Sequence, residues 1–220
     1  MPNPIHADES PIRFDRWHGS LPNWLKRFLP IGGGLSHDHH GKGMFGVTVF
    51  LLSESIVFFS FFFTYIALRL THPNWLPSGV KGPELSTFVI INTVVLLSSS
   101  FVIQAAENAL RSNKIKKFRW LWLLTSGMGV YFLVGEAIEW HNLDFGLTTG
   151  LVGGTFYVLT GFHGLHVFSG VVLQTIMFSR SFIRGNYNKS HFGVSATTLF
   201  WHFVDVIWVI LFSLIYLWRA

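Results

Sequence analysis

The residues able to do chemistry in this sequence stand inside apolar runs. Thr160-Gly161-Phe162-His163-Gly164-Leu165-His166-Val167 carries two histidines three apart, and Trp201-His202-Phe203-Val204-Asp205-Val206-Ile207-Trp208 carries a histidine and an aspartate at the same spacing. Glu54 is the only charge between Phe45 and Leu68, and Glu136 and Glu139 precede Trp140-His141. An ionisable side chain at the centre of a bilayer costs about 2.5–3.5 kcal/mol on insertion scales. Each of these groups is therefore expected to face another helix, a lipid headgroup or water.

Residues three apart share a helix face. His163 and His166 could in principle bind haem or a metal, but two histidines on one helix cannot clamp a haem from both sides, and only His202 could match their depth. Hydrogen bonding between helices is the expected role, with Gly161, Gly164 and Gly170 letting a neighbouring backbone come close. His202 and Asp205 are expected to pair directly, the imidazole donating to a carboxylate one turn on. Such a pair also stands behind metal ligands, but no set of ligands accompanies it. Glu54 admits proton exchange, headgroup binding or an interhelical hydrogen bond. The Glu136-x-x-Glu139 spacing resembles the carboxylate helices of di-metal proteins, which require matching motifs on other helices; an interfacial belt is expected instead. His37, His39 and His40 lack a fixed scaffold and are expected to be a solvated segment beside the membrane rather than a metal site.

The elements that must carry these groups follow from composition. Half of the 220 residues are hydrophobic, only 12% are charged and 23 are Phe, which assigns the chain to a bilayer. With no cysteine, disulfides and thiolate metal sites are excluded. Residues 1–43 form a polar, proline-broken tail without the basic and apolar regions of a cleavable signal. Residues 44–220 hold five spans, about 45–68, 86–106, 120–138, 152–178 and 194–218, each near or above the roughly 20 residues that cross a 30 Å hydrocarbon core. The expected fold is an all-α membrane bundle of five helices.

The net charge of +5 suggests nucleic acid until the basic residues are located. Arg13, Arg16, Lys26, Arg27, Lys42, Arg111, Lys114, Lys116, Lys117, Arg119, Arg180, Arg184 and Lys189 fall on one side of the spans, and Arg69, Lys81 and Arg219 on the other. Thirteen against three predicts an N-terminus in the cytoplasm, a C-terminus outside and no nucleic-acid partner. No internal repeat of transporter type is evident.

The two histidine-bearing motifs together resemble subunit III of the haem-copper cytochrome c oxidases. Leu52-Ser53-Glu54-Ser55, Gly129-Val130-Tyr131-Phe132, Glu136-Ala137-Ile138-Glu139-Trp140 and Gly153-Gly154-Thr155-Phe156 match in the same order. The resemblance covers about Phe45 to Trp218. It implies a subunit without a redox centre, packed on subunit I and joined by subunit II in a complex that oxidises cytochrome c, reduces oxygen to water and pumps protons. Haem and copper then belong to the partner subunits, while this chain holds phospholipid and supports proton uptake and lasting turnover. Glu54 matches the carbodiimide-reactive membrane carboxylate of the family, and Arg180 a basic residue that meets lipid phosphate; His163, His166, His202, Asp205, Glu136 and Glu139 are left as a structural polar network. The larger family form has seven helices. This chain is similar to the five-helix bacterial form, whose two further helices can be carried by subunit I, and the implied location is a bacterial cell membrane, or a thylakoid if the host is photosynthetic. The rival readings are subunit III of a quinol oxidase, a standalone haem-binding electron carrier using His163, His166 and His202, and a small proton-coupled transporter.

Overall fold

A backbone in hydrocarbon has no water to satisfy its N–H and C=O groups, so unbroken apolar sequence closes its own hydrogen bonds as helix. The computed structural model describes residues 39–72, 75, 77, 79, 80, 82–183, 187 and 191–218. Its elements are α1 (His39–Thr71), α2 (Thr87–Arg111), α3 (Ile115–Asn142), α4 (Gly150–Arg180) and α5 (Phe192–Phe212), the last running on into a single π-helical turn, Ser213–Leu217. All five are long and apolar enough to cross a membrane. The polar tail 1–38 and the side chains of His39 and His40 lie outside the described residues.

The helices outrun the expected spans. α1 begins at His39 rather than near residue 45, and α3 covers 115–142 rather than 120–138. Apolar runs report only the stretch in oil, whereas helical hydrogen bonding continues through Lys116, Lys117 and Arg119 into the polar boundary. Two helix boundaries show a local device. Ser86 Oγ accepts from Val89 N at 3.2 Å and caps α2. Asn113, at φ 58°, adopts the left-handed conformation that Asn tolerates and folds α3 back on α2.

The chain forms two units, residues 1–50 and 51–220. Of the first, the structure describes the opening turns of α1, where Thr48 Oγ1 donates back to the Met44 carbonyl at 2.9 Å. Within the second, α2 and α3 form the most extensive interface, and α4 and α5 complete the core. Residues 51–71 of α1 meet the others through aromatic rings: Phe58 lies 5.0 Å from Phe162 and 6.2 Å from Phe203, centroid to centroid.

Trp201 organises the centre. Its fully buried indole donates to Ser99 Oγ of α2 at 2.7 Å. A Cβ on Gly129 of α3 or on Gly170 of α4 would fall 2.7 Å from that ring. Only glycine lets α3 and α4 close on the indole. One face further along, Trp208 Nε1 donates to Thr93 Oγ1 at 3.2 Å and its ring stacks on His163 at 4.8 Å. Trp122 Nε1 bonds the Gln174 carbonyl at 2.8 Å, and Ser126 Oγ bonds Gln174 Oε1 at 2.8 Å, joining α3 to α4. Small residues and buried indoles thus supply the packing that apolar driving force cannot supply between helices already in oil. The outward faces carry Phe63, Phe101 and Trp120, each at least 74% exposed, as expected of side chains that meet acyl chains.

Candidate functional site

The lone carboxylate of α1 has a partner. Glu54 Oε2 lies 3.2 Å from His166 Nε2 of α4, and the other ring nitrogen, Nδ1, lies 2.8 Å from the Phe162 carbonyl. A carbonyl only accepts, so Nδ1 carries a hydrogen. The contact between Nε2 and Glu54 then holds one further proton, either on the imidazole facing a carboxylate or on the carboxyl facing a neutral imidazole. Either way the pair is neutral in sum. That satisfies the electrostatic demand of the membrane, because a neutral hydrogen-bonded pair avoids most of the desolvation that two separate charges would incur. Rings of Phe58, Phe162 and Phe200 surround His166 at 4.9, 4.8 and 6.2 Å. Glu54 keeps 21% of its side-chain surface and His166 12%, so the pair is reachable from one side of the bundle.

The two histidines of α4 separate in role. His163 is completely buried between Trp208 and Phe132, and neither ring nitrogen has a hydrogen-bond partner among the described residues. The expected interhelical hydrogen bond is therefore made by His166 and not by His163, whose ring serves as a packed aromatic.

His202 and Asp205 do not pair directly, contrary to expectation. Ser100 of α2 stands between them: its Oγ donates to Asp205 Oδ2 and lies 3.0 Å from His202 Nδ1, while His202 Nε2 meets Gln104 Oε1 at 3.2 Å. The reason is geometric. A neighbouring helix presents a short hydroxyl between the two side chains that meets Asp205 Oδ2 and His202 Nδ1, while Asp205 Oδ1 has no hydrogen-bond partner among the described residues. The result is a hydrogen-bonded line from exposed Gln104 through His202 and Ser100 to buried Asp205.

Glu136 and Glu139 each meet a neighbouring element. Glu136 is buried against α4, and Glu139 accepts from Tyr216 Oη of the π turn at 2.5 Å. At the opposite end of α3, Arg119 donates through Nη2 to the Ser181 carbonyl at 2.5 Å and through Nε to Ser181 Oγ at 3.1 Å, with its guanidinium 4.3 Å from the Phe182 ring. Arg180 ends α4 beside this contact with an exposed side chain. Sequence reasoning used Arg119 only as a topological charge; its role in fixing the end of α4 has no signal in spacing. Near α5, buried Glu107 accepts from exposed Arg111 one turn on at 2.7 Å and from Ser195 at 2.6 Å; the second of these contacts has no signal in spacing. Among the described residues no three His, Asp or Glu side chains are grouped as metal ligands.

The profile of the family described as cytochrome c oxidase subunit III matches residues 33–220. This chain belongs to the cytochrome c oxidase subunit III family. It is 44% identical over 189 residues to cytochrome c oxidase subunit 3 of Synechocystis sp., covering 84% of this chain and 80% of that protein. The same identity extends over 185 residues of the Thermostichus vulcanus protein, covering 83% and 90%. The human protein is 36% identical over 185 residues, covering 81% and 71%. The chain is thus a multi-pass membrane protein of a family that forms part of a terminal oxidase, an oxidoreductase complex of several subunits. All the motifs that carried the resemblance lie within the matched region. Two of them, Leu52-Ser53-Glu54-Ser55 and Gly161-Phe162-His163-Gly164-Leu165-His166-Val167, meet in space at the Glu54–His166 contact.

Proposed function

We propose that this chain packs on subunit I of a terminal oxidase in a bacterial membrane and supports proton supply and sustained turnover there, without holding a redox centre of its own. Cytochrome c is the electron donor on this reading, and haem and copper sit in subunits I and II. The observation that carries it is the Glu54–His166 pair, a carboxyl and an imidazole 3.2 Å apart on two membrane-crossing helices. Such a pair can shift its proton between the two partners at little electrostatic cost, because its net charge does not change, and passing the proton on to a neighbouring subunit is balanced by uptake of another from solvent. Phospholipid contact by Arg180 and by the exposed side of Glu54 belongs to the same reading. The fold with its N-terminus inside follows from the basic residues.

Glu54→Gln tests it in the assembled complex. Gln retains a donor for His166 Nε2 but has no exchangeable acid. The variant should assemble with unchanged haem spectra and begin at near-normal oxygen consumption, then inactivate several-fold faster during continuous turnover, and carbodiimide should label the native chain at residue 54 and not the variant. Unchanged inactivation kinetics and pumping stoichiometry would reduce the pair to a packing contact.

A further inference from the structure

A second polar feature lies between α3 and α4, separate from the Glu54–His166 pair. A groove of about 420 Å³ is lined by Glu136, Ala137 and Trp140 of α3 and by Gly161, Gly164 and Leu165 of α4. The two glycines leave its floor bare: a Cβ on Gly164 would lie 2.8 Å from Glu136 Oε2, and one on Gly161 would lie 3.2 Å from Trp140 Cη2. Its walls are otherwise apolar. Glu136 retains only 6% of its surface, yet its Oε1 and the Nε1 of Trp140 are both buried with no hydrogen-bond partner among the described residues. A buried acceptor and a buried donor left unmade cost free energy that something outside the chain can recover.

The described residues do not fill the need. Glu139 is engaged by Tyr216, both nitrogens of His163 are without partners, and α3 brings only His141 in its last turn. Position then selects the ligand. Glu136 stands six residues and Trp140 two residues before the end of α3, about 9 Å and 3 Å along the axis at 1.5 Å per residue. With the span read from the sequence ending near residue 138, both groups fall at the edge of the expected hydrocarbon stretch, next to the lipid headgroup and glycerol region where Trp side chains concentrate. Being one helical turn apart, the two groups offer an acceptor and a donor to a single small polar head.

We propose that this groove binds a membrane lipid whose headgroup carries N–H or O–H donors, Glu136 accepting from that head and Trp140 Nε1 donating to one of its oxygens, with the acyl chain running along Ala137 and Leu165. Ethanolamine, glycerol and sugar heads share this chemistry. Choline does not, since a quaternary ammonium has no hydrogen to give. The inference does not depend on the proposed role of Glu54, and the two can fail separately.

The test is native mass spectrometry of the detergent-purified full chain with phosphatidylethanolamine, phosphatidylglycerol, monogalactosyldiacylglycerol and phosphatidylcholine of matched acyl chains. At least one donor-bearing lipid should be retained about tenfold over phosphatidylcholine, the upper scale of one net hydrogen bond. Glu136→Leu should erase the preference, Trp140→Phe should reduce it about threefold while leaving the ring in place, and Gly127→Ala, which meets nothing within 4 Å, should leave it intact. Trp140→Phe alone decides the matter if Glu136→Leu loses helicity. Equal retention of phosphatidylcholine by the native chain, a full preference surviving in both groove variants, or capture of a protein rather than lipid by a photo-crosslinker at position 137 in native membranes would each overturn the proposal.

Discussion

At the scale of single residues, the core is decided by where a hydrogen stands in for a methyl group. Gly129→Ala would drive its Cβ to 2.7 Å from the Trp201 ring and 2.8 Å from Val171, in a centre with no room to yield. It should destabilise the folded chain by about 1–3 kcal/mol. Gly127→Ala, two residues away with nothing within 4 Å, should be neutral or stabilising by up to about 1 kcal/mol through helix propensity. Thermal unfolding of the purified chain in one detergent separates the two; equal midpoints would mean that Trp201 is not confined. Sequence made the polar residues visible but not their partners. Glu54 and His166 are 112 positions apart, and no spacing rule connects them. Ser100 sits in the run Ser98-Ser99-Ser100, which reads as filler in a span. A direct His202–Asp205 bond was the natural expectation from one helix alone, and it took a second helix to supply the hydroxyl between them.

At the scale of elements, the helices differ in how firmly they are held. α2 is clasped by α3 and α5 and buries Ser99, Ile103 and Ala106, whereas α1 touches its neighbours chiefly through Phe58, Phe62 and Tyr65. Fewer buried contacts mean cheaper local opening. Hydrogen exchange in micelles should therefore proceed faster in residues 51–71 than in 87–111, and Glu54→Gln should widen the difference by weakening the polar tie to His166 of α4. Equal protection in the two helices would contradict this ordering. The number of spans was legible because each is a continuous apolar run bounded by charge or glycine. Their ends were not, since helical hydrogen bonding passes through Lys116 and Lys117 as readily as through Leu.

At the scale of the whole molecule, orientation rests on charge alone. Arg111, Lys114, Lys116, Lys117 and Arg119 occupy one end of the α2–α3 hairpin, and Arg180 ends α4 on the same side of the spans. The positive-inside rule predicts a C-terminus outside. An alkaline phosphatase fused after residue 220 should be active and a fluorescent protein fused there dark; the reverse pattern would invert every assignment of side, including the outer depth given to Glu136.

The π turn at the end of α5 has a consequence for how the C-terminus is read. With Trp218 N bonded to the Ser213 carbonyl at 2.9 Å, the segment holds one residue more than a regular turn would need. That spare residue sets the phase of everything after it. It aims Tyr216 at Glu139 and leaves the Leu214 carbonyl facing Arg69 Nη1 at 3.4 Å, with Trp218 4.7 Å from the same guanidinium. Deleting Leu214 would restore an ordinary helix and swing the remaining side chains by about 100°. Composition, length and hydropathy would all survive, yet three helices would lose their common anchor.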